Sequence, residues 1–139
     1  MVPNQPSNLL MPVVIQDGIA YVSGQLPREN GTLNIKGKVG KDIDLETARQ
    51  AAVLSINNCL DRITDAIGPE GAILRILKIT GFVASADGFN QQGTVIDAAS
   101  EVLLKRLGER GGHARSAVGV AELPHGAPVE IEMIAAVSG

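Results

Sequence analysis

Aromatic residues are almost missing from this 139-residue chain, which has two Phe, one Tyr and no Trp. Proteins that bind single-stranded nucleic acid stack bases on such rings and track the backbone with Lys and Arg. Here the 12 Lys and Arg are outnumbered by 15 Asp and Glu, and no basic cluster runs along the chain. Both absences argue against a nucleic-acid partner. A single cysteine, Cys59, leaves no intramolecular disulfide to form and gives no reason to expect an oxidising compartment. No stretch approaches the ~18 apolar residues of a membrane span. The opening "MVPNQPSNLL" lacks the basic start and apolar run of a secretory signal. A cytoplasmic protein with no membrane partner is the expectation. With 45% hydrophobic residues the chain is too apolar for disorder, and with so few rings its core must be aliphatic. The length suits one domain spanning 1–139.

Several elements can be read from local pattern. "PVVIQDGIAYVSG" is two short strands joined at Asp17-Gly18, since Asp-Gly between apolar runs favours a type I′ turn. A long loop rich in Gly, Pro and Asn follows, with one short strand around Leu33 to Val39. From Asp44 to Ile67 the apolar positions Leu45, Ala52, Ile56, Cys59, Ile63 and Ile67 recur at helical spacing. Asp44 is the expected N-cap, and Gly68-Pro69 the stop. "AILRILKITGFVAS" reads as a strand, "GTVIDAASEVLLKRLGER" as a second helix, and residues 113 to 135 as a closing hairpin. This order predicts an α+β sandwich, with two helices on one face of a mixed sheet. Strands this apolar call for cover on the other face, and a second subunit would supply it.

Chemistry-bearing residues concentrate in the closing segment. Arg115 starts its first apolar run and Glu130 sits in its second. Each has a plain explanation, Arg115 as a surface residue and Glu130 and Glu132 as the wet side of a half-exposed strand. Each also has a sharper one. A guanidinium fork matches a carboxylate bidentately, and small neighbours Ala114, Ser116 and Ala117 leave room for a ligand. Burial of a glutamate would raise its pKa toward the range useful to a general base. A hairpin turning about Pro124-His125 would set Arg115 opposite Ile134 and Glu130 opposite Gly119. That places them roughly 13–17 Å apart along the strands, so either the hairpin bulges or the two meet across a subunit boundary, and the uncovered sheet face favours the second. His113 and His125 fall in different turns with no ligand spacing, which argues against a metal. No Ser stands in a G-x-S-x-G elbow. "GKVGKD" lacks the P-loop pattern and reads as a flexible basic loop. Cys59 reads as core packing.

Taken together, "YVSGQLP" (21–27), "GFVAS" (81–85) and "HARSAVGVAELPHGAPVEIEMIA" (113–135) resemble the Rid/YjgF family of reactive-intermediate deaminases, in older naming "endoribonuclease L-PSP". The likeness runs from about Pro12 to Val137. The insertion "RENGTLNIKGKVG" suggests a branch with an extended first loop. The resemblance implies a chorismate-mutase-like fold and a homotrimer with clefts between subunits. It places the carboxylate-holding arginine at Arg115, the water-activating glutamate at Glu130, and cleft-lining residues at Ser23 and Gly24. Backbone at Ala117, where many members carry cysteine, would help hold the carboxylate. Asp97 stands where an asparagine is common, and the usual tyrosine before the first hairpin is replaced by Leu9, Leu10 and Met11.

The implied reaction is hydrolysis of a 2-imino acid or its enamine to the 2-keto acid and ammonia. No metal or organic cofactor is expected, because an imine is already electrophilic. Two other classes stand beside this one. A non-catalytic trimer that binds a small carboxylate would use Arg115 equally well. A ribonuclease would need phosphate contacts and an acid–base pair that the composition does not favour.

Overall fold

The computed structural model describes residues 9–138. The chain opens with β1 (Val13–Gln16) and β2 (Ile19–Gln25), paired antiparallel through the Asp17-Gly18 turn. Both turn residues have positive φ, 54° and 75°, as a type I′ turn requires. The loop expected to hold one strand over 33–39 instead carries a miniature hairpin, β3 (Arg28–Glu29) and β4 (Thr32–Leu33). Its turn is Asn30-Gly31, again with both φ values positive.

Helix α1 (Leu45–Ile67) begins where Asp44 accepts the Thr47 N–H at 2.8 Å, an N-cap that satisfies an otherwise orphaned donor. It ends at Gly68, whose φ of 98° an L-residue would resist. Strand β5 (Ile73–Ala84) leads into α2 (Gln92–Leu107), which closes in a short 3-10 turn over Gly108–Gly111. Strands β6 (Ala114–Val120) and β7 (Val129–Val137) complete the chain.

The main sheet runs β1-β2-β7-β5-β6, antiparallel except for the parallel β5–β6 pair. Both helices cover one face. Fully buried Ile56, Leu60 and Ile63 of α1 and Ile96 and Leu103 of α2 meet Ile76, Ile79, Ile131 and Met133 of the strands. Each such side chain contributes about 1.5–3 kcal/mol by leaving water, so an aliphatic core suffices without rings. Cys59 is part of that core, as read from its helical position, and its thiol lies 3.3 Å from the Ile131 carbonyl.

The expected closing hairpin does not form. Strands β6 and β7 lie on either side of β5 and never pair with each other. Their connection passes over the end of β5, where Ala84 N–H donates to Pro128 O and Ser85 N–H to Val120 O. A Pro/Gly turn between apolar runs looks the same in sequence whether its strands pair directly or straddle a third.

The basic loop, expected to be flexible, is tied to its neighbours by several bonds. Val39 is fully buried, donates to Ala84 O and accepts from Ala86 N–H. Lys38 pairs with Glu122 at 3.1 Å. These bonds pin residues 37–43 beside the exit of β5.

The opposite sheet face is left uncovered by the described residues. Val14, Tyr21, Leu74, Leu77 and Val118 are large apolar side chains left exposed. Among the described residues no helix is long and apolar enough to cross a membrane.

Candidate active site

The sequence-derived site residues fall into two clusters. The first surrounds Glu130. Between Val22, paired with Met133, and Gln25, paired with Ile131, strand β2 holds two residues where β7 holds one. This β-bulge is Ser23-Gly24, and such bulges re-aim side chains beside functional sites. Ser23 is fixed there, its hydroxyl donating to Met11 O at 2.7 Å and its N–H to Pro12 O. Gly24 supplies room: a Cβ at this position would lie 2.5 Å from Glu130 Oε2 and 2.8 Å from its Cδ. The Glu130 carboxylate thus rests against bare backbone.

Glu130 is half-buried, and its carboxylate accepts no hydrogen bond from the described residues. Burial, and then the like charge of Glu132, push its carboxyl above the ordinary carboxylate value. Its neighbours in the strand, Val129 and Ile131, point into the core, so Glu130 faces the uncovered side.

The second cluster surrounds Arg115. Its register partner on β5 is Ile79, fully buried under the helices, so Arg115 points to the helical side at the edge of the sheet. Gly81 on β5 allows this arrangement. A Cβ there would come within 2.5 Å of the Ile96 side chain, so its absence lets α2 seat closely on the strand. The same seating brings Asp97, Ser100 and Gly93 of α2 to the guanidinium. Arg115 Nη1 donates to Asp97 Oδ1 at 2.8 Å and to Ser100 Oγ at 3.2 Å, and Nη2 reaches Gly93 O at 3.5 Å. Ala117, two residues on, shares that face and packs against the core.

Sequence reasoning missed a supporting chain behind Arg115. His113 Nδ1 lies 2.6 Å from Gly111 O, and its Nε2 lies 2.8 Å from Ser100 Oγ. A proton on Nδ1, donated to the carbonyl, leaves Nε2 to accept from the serine hydroxyl. The serine oxygen is then free to accept from Arg115. The signal was present: His113 and Arg115 are two residues apart leading into one strand, and Asp97 and Ser100 are three apart on one helix.

Arg115 and Glu130 do not meet within one chain. Arg115 is level with Ile79 and Glu130 with Phe82, three residues along and on opposite sides of β5. Backbone spacing alone makes that roughly 14 Å, and the side chains leave the sheet on opposite faces. The separation expected from a hairpin therefore has a different origin. A cavity of about 300 Å³ opens between Met11, Pro12, Val13 and the end of α1 at Arg62, Asp65 and Ala66, and touches neither residue.

The family described as Endoribonuclease L-PSP matches residues 4–137. Protein TCP17 of Trypanosoma cruzi is 35% identical over 115 residues, covering 82% of this chain and 72% of that protein. Among solved structures, the protein Atu1372 of Agrobacterium tumefaciens superimposes with a TM-score of 0.93 at 42% identity, over 94% of this chain and 83% of that one. The YjgF gene product of E. coli shares the fold, with a TM-score of 0.64 at 24% identity over 94% and 90% of the two chains. These agree with the motifs at 21–27, 81–85 and 113–135 and with the α+β sandwich, two helices on one sheet face. The chain belongs to the endoribonuclease L-PSP family, which is the Rid/YjgF family.

Proposed function

We propose that this protein hydrolyses reactive 2-imino acids, or their enamine tautomers, to 2-keto acids and ammonia. The observation that carries the reading is Glu130, a half-buried carboxylate with a raised pKa, held against Gly24 with no cation among the described residues to neutralise it. Its raised pKa makes it a stronger base than an ordinary carboxylate. Arg115, oriented by α2, would hold the substrate carboxylate and place the imine carbon in reach. Glu130 would remove a proton from water as its oxygen bonds to that carbon. The Glu130 proton passes to the nitrogen to give a carbinolamine; Glu130 then takes the hydroxyl proton as the carbonyl forms and the C–N bond breaks, and that proton goes to the departing nitrogen, which leaves as ammonia.

Because one chain sets the two residues on opposite faces, the working site would form between copies. The exposed apolar face, which also carries Glu130, supports a homotrimer with clefts between subunits. Cover by a second copy would desolvate Glu130 further and raise its pKa more.

The test is a coupled assay in which an amino-acid oxidase generates 2-iminopropanoate and semicarbazide competes for it. Wild type should speed keto-acid formation and Arg115→Ala should not. Equal rates for the two proteins would sink the reading.

A further inference from the structure

Asp97 gives the Arg115 cluster a charge pattern that a plain anion site would not have. Its Oδ1 accepts a hydrogen bond from Arg115 Nη1 at 2.8 Å, while its side chain stays 52% exposed against 26% for the arginine. Asp97 Oδ2 has no partner among the described residues. The next acidic group along α2, Glu101, is engaged by Arg49 at 3.3 Å, so it does not share this role. The pair Arg115–Asp97 is neutral as a unit, with a cation and an anion side by side facing solvent.

Arginine has five N–H donors. Nη1 is committed to Asp97 and Ser100, and Nη2 makes only the long contact to Gly93 O. The Nε side of the fork has no partner among the described residues, and a carboxylate can dock there bidentately. Docked so, it shares the guanidinium with Asp97, which is held on Nη1, and the two anions repel across it. A ligand whose carboxylate is followed by a protonated nitrogen is neutral overall and offsets that repulsion.

We infer that Asp97 is a specificity-determining residue that makes this site select zwitterions, a carboxylate with a cationic nitrogen on the adjoining carbon, over simple monocarboxylates. The inference rests on the reading of Arg115 as the carboxylate holder. It also has a consequence for turnover. A protonated 2-imino acid is such a zwitterion, whereas the 2-keto acid left after loss of ammonia is a monoanion. Asp97 therefore favours substrate over product at the same arginine.

The experiment measures binding of L-alanine and L-lactate, which differ in ammonium against hydroxyl, by calorimetry at neutral pH. Wild type, Asp97→Asn and Arg115→Ala are compared, with circular dichroism to confirm folding. Asparagine keeps the Oδ1 hydrogen bond to Arg115 and removes only the charge. Wild type should prefer alanine by roughly tenfold, Asp97→Asn should lose or reverse that preference by strengthening lactate, and Arg115→Ala should lose both ligands. An unchanged preference in Asp97→Asn, a wild-type preference for lactate, or binding of neither probe overturns the inference. Undiminished binding by Arg115→Ala overturns instead the assignment of Arg115, a separate failure.

Discussion

Substituting Gly24 by alanine separates the chemistry of this protein from its stability. The new methyl would begin 2.5 Å from Glu130 Oε2 and 2.8 Å from Cδ, about 1 Å inside ordinary contact. The obstruction is the end of a side chain, which can swing away, and Gly24 has no left-handed φ that alanine would resist. Losing a glycine from the unfolded chain stabilises by about 0.4–1 kcal/mol, and an off-rotamer glutamate costs about 0.5–1.5 kcal/mol. The two nearly cancel, so Tm should move by no more than about 4 °C. Displacing the base by about 1 Å should cost about 100-fold in turnover. The assay is kcat on enzymatically generated 2-iminopropanoate beside a thermal melt. Full activity in Gly24→Ala would refute the role given to Glu130. So would a large fall in Tm that accounts for the lost activity.

Three further outcomes follow from the same geometry. Glu130 must be deprotonated to act, so kcat/KM should rise with pH through its raised pKa. Glu132→Gln, which removes the like charge, should move that acid limb to lower pH, as a pH–rate profile would record. For folding the sign is opposite: a carboxyl whose pKa is raised in the native state favours folding below its unfolded pKa. That contribution is lost as pH rises through the native value, so Glu130→Gln should flatten the fall in stability over this window in pH-dependent melts. Ser100→Ala cuts the link from His113 to Arg115 and should raise KM about 3–10-fold, the worth of one net hydrogen bond, with kcat little changed in steady-state kinetics. Asp44→Ala should lower stability by about 1 kcal/mol in urea unfolding without affecting activity, since it removes only the α1 cap.

What could be read from sequence here was whatever is decided within a few neighbouring residues. Asp17-Gly18, the Asp44 cap and the Gly68 stop each act through their own backbone or the next turn, and each stands where its residue types place it. Asn30-Gly31 carried the same kind of signal, but the strands it joins are only two residues long and give little alternation to detect. The pairing of β6 and β7 with β5 was invisible, because the partner lies far along the chain and its register is set by packing under α1 and α2. The face on which Arg115 and Glu130 project depends on that register, since a shift of one residue exchanges the faces. The motifs therefore singled out both residues, and the resemblance Asp97, while the roles of Ser100 and His113 emerged only once α2 was seated over Gly81.

The central position of β5 has a consequence for how the molecule comes to exist. Both of its partners arrive late: β6 returns only after α2 has crossed, and β7 only after the chain has passed over the end of β5. Contacts this distant along the chain carry a large loop-closure cost and slow the search for the native state. Glu130 lies on the last strand and Arg115 on the one before it. Local structure in α1 and the first hairpin can form early, whereas both chemical residues reach their places only when the sheet closes on β5. Acquiring the fold and acquiring the site are then one kinetic event.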